Sequence, residues 1–210
     1  MKMGSYYIGL DPSLAAFGVA IIDTKTQTII LDQFKADDHH DFVLMCWSIE
    51  NLWQLFKGRY QYYLFDSETY IAQEAPIASG INSGKLNALG LHFYLGCGFE
   101  SAYENIRTYQ PIKLKQFHTK RGIKKYTKKD TIEVVEKILE YLKSVGYTVE
   151  IKYSRTKKSL TITDGEADAF IYAIKTYMDH RPEAKTTEDI YTLYPTLEVI
   201  KSLEEIKYGK

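Results

Sequence analysis

Three short runs of β-branched and aromatic residues open the chain: Tyr6 to Leu10, ending at Asp11, then Phe17 to Asp23, then Thr28 to Phe34. Turn-forming residues separate them, so the pattern predicts a β-meander. From about Asp41 to Phe56 the apolar positions Phe42, Met45, Ile49, Leu52 and Phe56 fall at helical spacing. Thr69 to Gln73 predicts another strand, which ends at Glu74 and is stopped near Pro76. Ser83 to Glu104 reads as a long helix with Leu86, Leu89, Phe93 and Ala102 among its apolar positions. Its glycines Gly84, Gly90, Gly96 and Gly98 each cost roughly 1 kcal/mol against Ala, which implies either close backbone approach or a break. Ile106 to Tyr109 is a further strand-like piece, closed by Pro111. A helix is predicted from about Lys128 to Lys143, with Thr127 and Asp130 in a capping pattern and Gly146 as its end. Its face carries Ile132, Val135, Leu139 and Leu142. Tyr147 to Tyr153 reads as extended, and a last helix runs from about Asp164 to Met178.

A meander followed by alternating strands and helices predicts an α/β fold, a mixed sheet with helices on its faces. The 210 residues suit one domain over about 1–180, with 181–210 as a peripheral C-terminal extension. The hydrophobic share of 45% is enough for a real core and argues against disorder.

Charge changes the picture only locally. Basic and acidic residues balance at 27 each, a weak argument against a nucleic-acid partner. From Lys113 to Lys129, however, there are eight Lys or Arg residues and no Asp or Glu. Lys113, Lys115, Lys120, Arg121, Lys124, Lys125, Lys128 and Lys129 make a candidate phosphate-binding face, and Phe117, His118 and Tyr126 are interleaved with them. The plainer reading is a solvated loop. Arg155, Lys157 and Lys158 extend the same basic character. His39 and His40 beside Asp37, Asp38 and Asp41 read as a solvated helix start rather than a metal site. The 18 tyrosines suit half-buried surfaces and base stacking, and equally a biased codon composition. Cys46 and Cys97 form no CxxC pair, so zinc and a disulfide framework are not expected. No signal-like h-region and no membrane-length apolar run is present, and a reducing, cytoplasmic setting is expected.

Acids flanked by apolar runs carry the candidate chemistry. Asp11 ends the first strand in Gly9-Leu10-Asp11-Pro12, and Glu74 ends a later strand in Ala72-Gln73-Glu74-Ala75. Asp164 and Asp168 open the last helix. Each has an ordinary alternative: a turn residue, a surface acid, or favourable charge at a helix N-terminus. Together they can converge on one point, where magnesium, a hard cation that takes carboxylate oxygens, compensates their burial. Two such metals can clamp the attacking and leaving oxygens of a phosphodiester. Thr163 and Glu166 form a capping box, and Asp164 and Asp168, four apart, share a helix face. Asp164 and Asp168 are therefore taken as ligands and Glu166 as the cap, unless the helix begins a residue or two later, when Asp164 and Glu166 exchange roles.

These residues resemble the RuvC-like Holliday-junction resolvases of the ribonuclease H-like superfamily, with a viral or phage member in view. The opening Gly9-Leu10-Asp11-Pro12-Ser13 with Phe17-Gly18-Val19-Ala20, the Ala72-Gln73-Glu74 strand end, the basic segment from Pro111, and the closing Glu166-Ala167-Asp168-Ala169-Phe170 carry the likeness. It implies a ribonuclease H-like mixed five-stranded sheet flanked by helices. It also implies a homodimer that nicks four-way DNA junctions in pairs, using Mg2+ with Mn2+ as substitute. Carried over, Asp11, Glu74 and Asp168 are metal ligands, and Lys115 with Lys128 or Lys129 lies near the scissile phosphate.

Two departures stand out. Gly165 occupies the place three before Asp168 where that family carries an acid, which leaves Asp164 or Glu166 as the fourth ligand. Pro76 and Ile77 stand where an aromatic wedge is common, which leaves room for a broader range of branched DNA. The rival readings are another nuclease on this fold acting on branched DNA or RNA–DNA hybrid, and a non-catalytic junction-binding module. An actin-like ATPase would need a second, duplicated lobe and Gly-rich phosphate loops, which this chain does not show.

Overall fold

The computed structural model describes residues 6–12, 16–35, 42–74, 106–109, 128–144, 146–152 and 162–180. The long helix expected over 83–104, the residues 39–40 and 97, the basic residues 113–125 and 155–158, and the extension 181–210 lie outside them.

The meander forms as the pattern predicts. Strand β1 (Tyr6–Pro12) pairs antiparallel with β2 (Ala16–Asp23), which pairs antiparallel with β3 (Thr28–Lys35). The β2–β3 turn is set by Asp23, whose Oδ1 accepts hydrogen bonds from the backbone N–H of Lys25 (2.9 Å) and Thr26 (3.1 Å). Such an Asp-centred turn imitates a backbone turn with a side chain. Strand β4 (Thr69–Glu74) adds parallel to the other side of β1, and β5 (Ile106–Tyr109) parallel to β4. The order is β5-β4-β1-β2-β3-β6, where the sixth strand β6 (Thr148–Ile151) lies parallel to β3 at one edge. The five expected strands are thus joined by one from the segment read as merely extended. A three-strand antiparallel meander continued by parallel strands, with helices on both faces, is the ribonuclease H-like arrangement.

Both faces of the sheet are covered, so the central strands are apolar on both sides. On one face Ile8, Leu10, Val19 and Ile21 pack against Leu52, Trp53, Phe56, Tyr60 and Leu64 of α1 (Phe42–Leu64). That helix runs past the expected end at Phe56, because Tyr60 and Leu64 continue its buried i, i+4 row. Tyr60 takes a non-helical backbone (φ −117°, ψ 18°) and bends it. There Asp32, almost wholly buried, accepts hydrogen bonds from Tyr60 Oη (2.7 Å) and Arg59 Nη1 (2.5 Å). The bend thus sits where two consecutive side chains reach one buried carboxylate.

On the other face Tyr7, Ala20, Ile29 and Leu31 pack with α2 (Lys128–Ser144) and α3 (Asp164–Asp179). Gly146 ends α2 with φ +104°, donating from its N–H to Lys143 O (3.2 Å) while Tyr147 N–H donates to Leu142 O (2.9 Å). Among the described residues no helix is long and apolar enough to cross a membrane.

Candidate active site

The acid-bearing ends of the elements meet at one corner of the sheet. Asp11 lies near the C-terminal end of β1, opposite Gly18 of β2, which in turn lies opposite Gln33 of β3. On the other side of β1, Leu10 aligns with Gln73, so Glu74 follows at the next register position beside Asp11. Two acidic strand ends are therefore neighbours at the carboxyl edge of parallel strands, a usual place for a ligand site in α/β proteins.

Glycines bring α3 down onto this row. A Cβ on Gly9 would collide with the backbone of Ala169 and Ala173, and one on Gly18 with the backbone of Gly165. Only a residue without a Cβ allows such approach. With Gly18 against Gly165, the first turn of α3 lies directly over the Asp11–Gly18–Gln33 row. A Cβ built on Gly165 would lie 3.6 Å from Asp11 Oδ2 and 3.5 Å from Gln33 Nε2. Gly165, which stands where the resemblance leads one to expect an acid, therefore lies directly against the Asp11 carboxylate and the Gln33 carboxamide, at a distance where a Cβ would make ordinary contact.

The roles within the first turn of α3 separate clearly. Thr163 N–H donates to Glu166 Oε2 (2.7 Å), and Glu166 N–H donates to Thr163 Oγ1 (3.1 Å). This reciprocal pair is the capping box, and Glu166 is wholly buried in it. The helix begins at Asp164, as the cap assignment requires. Asp164 and Asp168, one turn apart, are both partly exposed, unlike Glu166.

One of these acids holds a cation supplied by the protein. Lys128, the first residue of α2, places Nζ 2.6 Å from Oδ2 of Asp164, the first residue of α3. The hydrogen bond to Asp164, with the charges of Asp164, Asp168 and Asp11, outweighs partial burial and raises the Lys128 ammonium above the usual lysine range. In return, the hydrogen bond from Lys128 holds the Asp164 carboxyl below the usual carboxylate range. Three of the four predicted acids therefore act on one ammonium. Lys129, its neighbour, faces away to Glu133 at 3.8 Å, an ordinary i, i+4 pair.

Gln33 went unnoticed in the sequence. Its carboxamide is buried beside Asp11 and the start of α3, and among the described residues Oε1 has no hydrogen-bond partner. The signal that finds it is register: counting across two hairpins from Asp11 gives Gly18 and then Gln33.

The donor set is chemically suited to a hard divalent cation, since every candidate ligand is a carboxylate oxygen. Among the described residues no three His, Cys, Asp or Glu side chains are already drawn together as a metal-binding group. Asp11, Asp164 and Asp168 supply the local negative charge, and the Glu74 strand end adjoins them.

No family model matches the chain, and no curated protein matches it significantly. Among solved structures, T. thermophilus RuvC in complex with a Holliday junction substrate is similar at 14% identity and a TM-score of 0.45, over 93% of this chain and 98% of that one. A Thermus thermophilus RuvC structure is similar at 16% identity and a TM-score of 0.45, over 83% and 97%. The human cytomegalovirus terminase nuclease domain is similar at 16% identity and a TM-score of 0.40, over 87% and 86%.

Proposed function

We propose that this protein is a divalent-metal-dependent DNA endonuclease that cuts four-way or otherwise branched DNA by phosphodiester hydrolysis, working as a homodimer. The observation that carries the reading is geometric: Asp11 and the Glu74 strand end are register neighbours, and the first turn of the helix bearing Asp164 and Asp168 is packed over Asp11 through Gly18 and Gly165. The partly exposed positions of Asp164 and Asp168 suit a ligand that arrives from solution.

In this reading Asp11, Glu74, Asp164 and Asp168 hold Mg2+, with Mn2+ able to replace it. Bound metal would supply Lewis-acid charge, lowering the pKa of water and neutralising the phosphoryl oxygens. The chain's own work is positional. The Gly18–Gly165 contact fixes the height of the helical acids above Asp11, and the Thr163–Glu166 box fixes where the helix starts. Lys128 carries a positive charge at the mouth of the site, where a phosphate would approach. In-line attack of water then breaks the P–O3′ bond, leaving a 5′-phosphate and a 3′-hydroxyl. A two-fold dimer matches a junction with two equivalent strands to cut. Pro76 and Ile77, in place of an aromatic, favour a broader range of branched DNA over strict four-way specificity.

Asp11→Asn tests the reading directly. It keeps the size of the side chain and removes one charge. Cleavage in Mg2+ is expected to fall by at least about 10³-fold while the variant still binds a synthetic junction, because preorganised charge stabilisation is lost. Cleavage at the wild-type rate would remove Asp11 from the site.

A further inference from the structure

Lys128 and Asp164 are the first residues of two different helices, 36 positions apart, and they form a close ion pair. A lysine at the start of a helix sits at the positive end of the helix dipole, the unfavourable end for a cation. Its side chain is nevertheless held on Asp164, with Asp168 and Asp11 adding attraction. The lysine is 77% exposed along its side chain, so its ammonium can leave toward solvent without rearranging the core.

We propose that Lys128 is an exchangeable counter-ion: its ammonium neutralises the acid cluster without metal, yields Asp164 to the entering divalent cation, and is then free to hold a DNA phosphate. The inference rests on the metal-dependent reading above and adds a coupling to it. One cationic side chain cannot pair fully with Asp164 and with a phosphate together. Metal that takes Asp164 therefore strengthens DNA binding, and by linkage DNA strengthens metal binding by the same factor. The Lys113–Lys129 segment, free of acidic residues, leads directly into Lys128, so the released charge belongs to a basic run suited to a phosphate backbone.

Lys129 provides the control. It carries the same charge one residue away but pairs with Glu133. Mn2+ binding, measured by electron paramagnetic resonance without DNA, is compared in wild type, Lys128→Met and Lys129→Met. Lys128→Met is expected to bind Mn2+ roughly two- to fivefold tighter, the range of an exposed ion pair, while Lys129→Met changes less than half as much. Binding to a synthetic four-way junction is then measured with and without Ca2+. Calcium is expected to tighten wild-type binding by a similar factor, and to give Lys128→Met a smaller gain.

Equal Mn2+ affinity in wild type and Lys128→Met overturns the exchange. So do equal gains in both lysine variants, which would mean long-range attraction alone. Both results leave the metal-site reading standing. If wild type binds no Mn2+, the metal-dependent reading fails and the exchange with it.

Discussion

Gly18 of β2 and Gly165 of α3 meet backbone to backbone, with no room for a Cβ on Gly18. Gly18 lies opposite Asp11, and Gly165 lies between Asp164 and the rest of its helix, so this contact sets the distance between the strand acid and the helical acids. Gly18→Ala is expected to destabilise the fold by about 1–3 kcal/mol, the usual cost of overpacking. Nuclease activity of the remaining folded protein is expected to fall by about 10²-fold, because shifts near 1 Å at a catalytic centre are that costly. Chemical denaturation and cleavage assays below the unfolding midpoint measure the two effects separately. A variant that is destabilised but fully active would show that the spacing does not matter to catalysis.

The capping box separates Glu166 from its acidic neighbours. Thr163→Ala removes the acceptor for the Glu166 N–H and is expected to cost about 0.5–2 kcal/mol of stability. Asp168→Asn leaves the cap intact and is expected to leave stability within about 0.5 kcal/mol while abolishing metal-dependent cleavage. Thermal unfolding and cleavage of both variants check this division of roles. Reversed effects would return Glu166 to the ligand set.

On the opposite face of the sheet the buried Asp32 accepts from the buried Tyr60 and from the half-exposed Arg59. Burial, and then the hydrogen bond to Asp32, raise the Tyr60 phenol well above the usual tyrosine range. In the unfolded chain that phenol ionises near 10. Below that pH both states keep the proton, and the contribution of Tyr60 to stability is complete. Above it the unfolded state loses the proton first, so stability falls as pH rises. Tyr60→Phe is expected to destabilise by about 1.5–3 kcal/mol at neutral pH, the worth of a hydrogen bond to a charged group. The gap from wild type should narrow above pH 10. Urea denaturation from pH 7 to 11 measures it, and a gap that widens with pH would contradict the arrangement.

The elements that sequence pattern revealed are those governed by local periodicity. Strands β1 to β5 and helices α2 and α3 appear within a residue or two of their expected ends, because their buried faces repeat at intervals of two or of three to four. The capping box was equally readable, since it depends on residues three apart. What escaped depends on register between distant segments. Gln33 joins the site only through two hairpin pairings. The Asp32–Arg59–Tyr60 unit joins a strand to a helix more than two dozen residues away, and an isolated Asp inside a strand gives no hint of its partners. Helix α1 runs past Phe56, across Gly58 and the polar residues around it. The structure shows that only their exposed face is polar, while Tyr60 and Leu64 continue the buried one. Lys128 was picked out as basic, but its pairing with Asp164 required knowing that two helix starts adjoin.

The acid cluster is proposed to cut branched DNA, and a direct cleavage assay tests this. Purified protein with Mg2+ should be given a synthetic four-way junction, a linear duplex and an RNA–DNA hybrid of equal length, with Asp11→Asn in parallel. Paired nicks in the branched substrate, little cutting of the duplex or hybrid, and no cutting by Asp11→Asn are expected. Tight junction binding with no cleavage of any substrate, or equal cleavage of all three, would rule out a branched-DNA nuclease.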